Sequence, residues 1–325
     1  MTLGDSEPTA AVILPEHKAI VDVLAGYGVD VFELVDPSEL AQSTSTSFFV
    51  PAITCRLVSE IFPQQVFLRS TPEYTEWRNL FWSQQQSESK PACILQPTSS
   101  RQVAIALLIA RLWNCPFAVK SGGHAAFAGA SSITDGLTID LQRLNTIQLA
   151  SDKKSVRVGP GNRWIDVYKS LEPQSLTAIG GRVSDIGVGG LTLGVSKTLI
   201  FPHFSPSPSS RRWHFVLLGA VVIANGRILN VNKQSHPDLY WALRGGGNNF
   251  GIVTRFDLAT YPVEELWAGS QIYVVDDRTR KSLLAAVVKF ADEWPSDPRA
   301  ALICNFAYAQ GMFVAAVDVE YTKPV

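Results

Sequence analysis

Glycine placement constrains this chain more than any other feature of its sequence. Of 23 glycines, 18 lie between Gly122 and Gly251, clustered as Gly122-Gly123, Gly159/Gly161, Gly180-Gly181, "GVGG" at 187–190 and "GGG" at 245–247. A residue without Cβ allows positive φ and close approach of the backbone to another group. One such cluster is most simply a turn. Several in one stretch point to an extended ligand lying along many loops, its anionic groups held by backbone N–H donors. The first cluster adds a histidine: "KSGGHAAFAG", Lys120 to Gly129, sets His124 between a glycine pair and a run of small residues.

The remaining composition bounds the class. A chain of 325 residues, 46% hydrophobic and 18% charged, is an ordinary globular protein with one large or two smaller domains. A formal net charge of −1 gives no overall basic field for nucleic acid or anionic lipid. The longest apolar runs, Val103–Ala110 and Phe215–Ala224, are too short for a membrane-spanning helix. The start, "MTLGDSEPTAAVILPEHK", is acidic and proline-broken, unlike a secretory signal. Four cysteines (Cys55, Cys93, Cys115, Cys304) include no C-x-x-C, and no histidine lies three to five residues from another, which argues against zinc. They read as free buried thiols or as one structural disulfide with two thiols left over.

Residues 1 to about 50 include the low-complexity "ELAQSTSTS" and are given no fold of their own. From Pro91 the signals sharpen. "ACILQP" reads as a strand, Ser99 and Gln102 have capping-box spacing, "VAIALLIARLW" is a buried helix stopped by Asn114 and Pro116, and "PFAVK" is a strand feeding the first glycine loop. "GLTIDL" and "SVRVGP" are strands, "WIDVYKSL" a short helix, "VVIANGRILNV" a hairpin turning at Asn225-Gly226. "HPDLYWAL" is a further short helix, placing His236 at a helix start. The pattern is α+β. His17, His203 and His214 read as ordinary structural residues.

Familiar glycine motifs fail. A G-x-G-x-x-G from Gly187 meets Thr192, and from Gly245 meets Phe250; no P-loop is present; a nucleophile elbow at Ser196 meets Thr198. Five other blocks occur in order: "KSGGHAAFAGASS", "DGLTIDLQRLNTI", "VRVGPGNRWIDVYKSL", "GGRVSDIGVGGLTLG" and "HPDLYWALRGGGNNFGIVTRFDL". Together they resemble the PCMH-type FAD-binding domain of the vanillyl-alcohol oxidase superfamily, in its berberine-bridge-enzyme-like branch, from about Cys55 to Pro262.

The resemblance implies FAD held in extended form between two α+β subdomains. It implies that the loop at Lys120, Ser121, Gly122, Gly123, His124 and Gly129 wraps the pyrophosphate, with His124 bonded covalently to the flavin. It makes Gly187, Gly189, Gly190 and Gly194 further FAD contacts and lets Ile252 pack on the cofactor. Secreted members with a cysteine near Cys55 pair it with one before the "SGGH" strand, which by position is Cys115. The chemistry is consistent: a pyrophosphate wants N–H donors without a Cβ in the way, and a neutral imidazole is a nucleophile.

Two departures qualify this. From Val195 to Phe215 the chain carries serine–proline repeats and Arg211-Arg212 where the family continues with glycine and often a second flavin-linking cysteine. A divergent family loop is one reading; the preferred one is a retained intron, since "GVS" is what a common splice donor encodes in this frame. The second departure is the end: the segments from "GSQIYVVDD" to "FVAAVDVEYT" begin an antiparallel-sheet substrate domain that stops at Val325, before the segment that supplies active-site Tyr and Asn residues in this branch. The expected organisation is a poorly ordered leader over 1–52, an FAD-binding domain over 53–262 with an insert at 195–215, and an incomplete substrate domain over 263–325. Tyr273, Tyr308 and Tyr321 read as sheet aromatics, and no catalytic base or metal ligand is assigned. The implied function is an FAD-linked oxidase that takes hydride from a C–H beside an alcohol or amine of a small molecule and passes the electrons to dioxygen. The alternative is a non-catalytic, truncated FAD-binding remnant or an incorrectly spliced gene product.

Overall fold

The apolar run after Ser99 forms the helix on which the first half of the chain is packed. The structure, a computed structural model, describes residues 15–35, 49–194, 216–217, 219–263, 265–293, 296–297 and 299–321. The chain enters through α1 (Pro15–Gly26), α2 (Val31–Leu34) and α3 (Phe49–Ile61). Strand β1 (Val66–Leu68), helices α4 (Pro72–Asn79) and α5 (Gln84–Ser87) and strand β2 (Cys93–Leu95) come next. The long helix α6 (Ser100–Leu112) then leads to β3 (Phe117–Lys120) and β4 (Leu137–Asp140). The sheet order is β1-β2-β4-β3, with β2, β4 and β3 parallel and β1 antiparallel. The Ser99 hydroxyl accepts the Gln102 N–H, while the Gln102 side chain reaches back to the Thr98 N–H at 2.6 Å, so the start of α6 is capped from both sides. Every residue from Val103 to Ala110 is buried, and Asn114, at φ 50°, ends the run.

Two expectations are corrected here. The described part of the leader is folded: α1 lies against α6, and its Ile20, Val21 and Leu24 join the same core. Their spacing is helical, and the low-complexity stretch beside them hides it. The disulfide joins Cys55 to Cys93, with Cα atoms 5.8 Å apart, and not to Cys115. Cys93 and Cys115 stand near one edge of the sheet: Cys93 is level with Leu137, which is level with Phe117. Helix α3 reaches the β2 end of that edge. Cys115 remains a buried thiol, its pKa pushed up by burial. Denatured without reductant, the chain is therefore expected to titrate two thiols, Cys115 and Cys304, and four after reduction. A count of four before reduction would refute the bond.

The second half is built on antiparallel strands. In chain order it holds β5 (Ile147–Leu149), β6 (Ser155–Val158), α7 (Trp164–Leu171), β7 (Leu176–Ala178) and α8 (Val188–Gly194). It continues with β8 (Ala220–Val222), β9 (Ile228–Asn230), α9 (Pro237–Leu243), β10 (Ile252–Val253) and β11 (Phe256–Pro262). One sheet runs β5-β6-β11-β7, another β10-β8-β9. Trp164, Val167 and Leu171, at helical spacing on α7, are fully buried against Phe256 and Leu258. The β8–β9 hairpin turns at Asn225-Gly226, where Gly226 has φ +80°. His236 caps α9 at φ 58°. The insert at 195–215 lies outside the described residues.

A third sheet, β12-β14-β13, follows: β12 (Trp267–Val274), helix α10 (Asp277–Glu293), β13 (Ala300–Ala309) and β14 (Met312–Tyr321). Tyr273, Tyr308 and Tyr321 lie in these strands. Among its described residues only Ala301 and Ala315 are buried, and α10 buries none. It is tied to the rest by Arg182, which meets Glu320 of β14 at 3.1 Å with both side chains largely buried. Beside that pair the Tyr168 phenol donates to the Gly181 carbonyl at 2.8 Å. Burial first, and then the Glu320 charge, push its pKa up.

Candidate functional site

Parallel strands β3 and β4 end side by side at Lys120 and Asp140. The backbone beyond the carboxyl ends of parallel strands is where α/β folds receive ligands. There the chain opens a cleft of about 780 Å³, within the roughly 300–1,000 Å³ of ligand pockets. One wall is the loop Ser121–Ala125 with Gly129 and Ser131; another is the start of α8 with Ile186, Gly187, Gly189 and Gly190; a third is Gly247–Val253; Leu107, Val222 and Phe256 form the floor. His124 is the only titratable side chain among the described lining residues.

Glycine serves three purposes in these walls. Gly122 and Gly187 touch backbone to backbone: a Cβ on either would fall 2.5 Å from the other's Cα. A Cβ on Gly189 would meet the Ser121 hydroxyl at 2.8 Å, because Ser121 is the knot of the site. Its hydroxyl oxygen accepts the Gly189 N–H at 3.1 Å, and its O–H donates to the Pro160 carbonyl at 2.5 Å. Gly123 is held by conformation, φ +67°, with Phe81 beneath it. Gly129 and Gly190 have open space where a Cβ would stand. The 245–247 cluster closes the far side, where the Gly245 and Gly247 N–H groups both donate to the Leu193 carbonyl at the end of α8.

The loop's hydrogen bonding is one-sided. The carbonyls of His124, Ala125 and Ala126 accept from Trp82, Gln86 and Ser83. The N–H groups from Gly122 to Gly129 find no acceptor among the described residues. A row of unsatisfied amides is a ready anion cradle. The Ser131 hydroxyl is also buried at the cleft without a partner there. Free amides, open glycine faces, an orphaned hydroxyl and the apolar side chains of Val222 and Ile252 fit a long, flat, phosphate-bearing molecule such as FAD.

Most of the expected contacts meet in this cleft: Ser121, Gly122, Gly123, His124, Gly129, Gly187, Gly189, Gly190 and Ile252 all line it. Two do not. Lys120 turns inward: its ammonium lies 3.3 Å from the buried Asp140 carboxylate and over the rings of Trp77 and Phe81. Asp140 also accepts from Trp77 at 2.6 Å and Gln96 at 3.0 Å, so the lysine completes a polar network under the loop. Gly194 ends α8 away from the lining. Sequence reasoning missed Ser131, Asn248, Asn249 and Phe250 on the walls and Trp82, Ser83 and Gln86 behind the loop.

Residues 91–197 match a family described as an FAD binding domain. That part of the chain is similar to an FAD-binding domain. The chain is 41% identical, over 241 residues, to FAD-dependent monooxygenase tpcD of Cochliobolus heterostrophus, a match covering 74% of the chain and 45% of the relative. Its fold is that of 6-hydroxy-D-nicotine oxidase from Arthrobacter nicotinovorans (TM-score 0.69, 21% identity, 81% of this chain and 56% of that one). It is also that of berberine-bridge-enzyme-like protein 1 of Physcomitrella patens (TM-score 0.67, 21% identity, 83% and 56%). The chain spans about half the length of the curated relatives it matches.

Proposed function

We propose that the chain is the FAD-binding part of an oxidoreductase of oxidase type, with FAD tethered through His124. It takes hydride from a C–H beside an alcohol or amine of a small molecule, and dioxygen is the final acceptor. The FAD unit ends near residue 262, and the sheet from Trp267 opens the substrate domain. The observation that carries the reading is the pairing of an acceptor-less amide row with one imidazole at its centre. The amides from Gly122 to Gly129 would hold the pyrophosphate. Ile252 and Val222 would exclude water from the ring, and His124 would fix it in place. FAD supplies two-electron acceptance when bound, and the protein supplies orientation and electrostatics.

A second reading, oxygen insertion, is favoured by the similarity to proteins named FAD-dependent monooxygenases, at 41% and 37% identity. One experiment separates the two. FAD-loaded protein is given a panel of aryl and alkyl alcohols and amines under ¹⁸O-labelled dioxygen. The oxidase reading expects one hydrogen peroxide per product and no label in the product. Labelled product without peroxide would establish oxygen insertion and refute the oxidase.

A further inference from the structure

We propose that Trp82 is a positioning residue for His124, presenting its imidazole to the cleft in one orientation. The proposal rests on the reading of the cleft as a covalent FAD site. Trp82 sits in the turn between α4 and α5 and is 61% exposed. Its ring stacks on the His124 ring, centroids 4.9 Å apart and planes 30° from parallel. Its Nε1–H donates to the His124 carbonyl at 2.9 Å. One side chain thus holds both the ring and the peptide of the same residue. Without it, an exposed imidazole on a loop of glycine and alanine has several rotamers open to it.

The next residues extend the grip. The Ser83 hydroxyl donates to the Ala126 carbonyl at 2.7 Å, and the Gln86 amide to the Ala125 carbonyl at 3.4 Å. In a trans peptide the N–H points opposite to the C=O. Holding the carbonyls of 124–126 from one side therefore turns the amides of Ala125, Ala126 and Phe127 to the other. The holding segment is itself fixed, because Trp77 donates to the buried Asp140 and Phe81 packs edge-on against Trp77. Gln86 and Ser83 aim the amides of Ala126 and Phe127, and Trp82 aims the amide of Ala125 and, in addition, the imidazole.

The division of labour separates rate from affinity. Covalent attachment forms a bond from an imidazole nitrogen to the flavin ring methyl carbon. One proton leaves the imidazole and one the methyl group, and the two electrons left on the flavin pass with two protons to dioxygen as hydrogen peroxide. Holding the nucleophile in one rotamer accelerates bond formation without adding to reversible binding.

The test uses the full chain, expressed in a riboflavin-auxotrophic host and purified free of flavin, as wild type, Trp82→Phe and Trp82→Ala. Each is mixed with FAD in aerated buffer. Reversible binding is read from flavin fluorescence, and the tether from the rate at which flavin becomes resistant to acid. Trp82→Ala, which frees one of the three held carbonyls, is expected to weaken reversible FAD binding by less than about tenfold and, at saturating FAD, to attach it at least about tenfold more slowly. Trp82→Phe, which keeps a stacking ring, is expected to recover part of that rate. A merely structural role would lower binding and attachment together. Attachment at the wild-type rate in Trp82→Ala would overturn the positioning role alone. A wild type that binds FAD but releases all of it in acid would overturn the tether, and the role with it.

Discussion

FAD-loaded protein precipitated in acid should keep its flavin, and His124→Ala should release all of it. His124 is the one titratable side chain among the described lining residues, and none of the four cysteines lines the cleft. Cys55 and Cys93 are bonded to each other, Cys115 is buried, and Cys304 lies in β13. A second tether thus has no candidate among the described residues, and peptide mapping should place the entire adduct on His124. The acid-stable fraction should fall from near complete to none. Reversible loading should persist, since the amides from Gly122 to Gly129 are backbone and survive the substitution. An adduct found on any other residue would sink the assignment.

Two glycine substitutions should separate the architecture of the cleft from its occupancy. Gly122→Val forces a side chain into Gly187, where a Cβ already falls 2.5 Å from backbone. Overpacking of that kind costs about 3 kcal/mol, a fall of roughly 5–10 °C in Tm. FAD loading should fail because the loops have parted. Gly190→Val meets nothing within 4 Å and stands on the exposed face of α8. The flavin-free protein should keep its Tm within about 2 °C, because valine is no worse than glycine in a helix. Its FAD affinity should nevertheless drop at least about tenfold. Circular dichroism melts paired with fluorescence titrations check both. Normal loading by Gly190→Val would mean that the open face of α8 is not where the cofactor passes.

What the sequence made legible was local. The Ser99–Gln102 cap, the Asn225-Gly226 hairpin and helix α7 rest on residues within a few positions of one another, and each forms where it is read. The glycine clusters were legible as places of close approach, but not as to what approaches. Gly122 touches Gly187, 65 positions away, and only the tertiary fold brings them together. Lys120 shows the same limit. It ends β3 opposite Asp140, which ends β4, and that register decides that the ammonium turns inward. The disulfide partner was misread because Cys93 and Cys115 stand near the same sheet edge, one on each side of β4. Trp82, Ser83 and Gln86 escaped because a side chain bonding to a distant carbonyl leaves no periodicity to find.

The cleft holds no lysine, arginine, aspartate or glutamate among its described lining residues. A phosphate pocket built from cations repels itself when empty, and folding must then wait on its counterion. A pocket built from amide dipoles stores no such repulsion. Its donors are already oriented by carbonyls that Trp82, Ser83 and Gln86 hold from behind. On the reading proposed above, assembly of the polypeptide and arrival of its ligand are uncoupled: the chain completes its core first and admits an anion later.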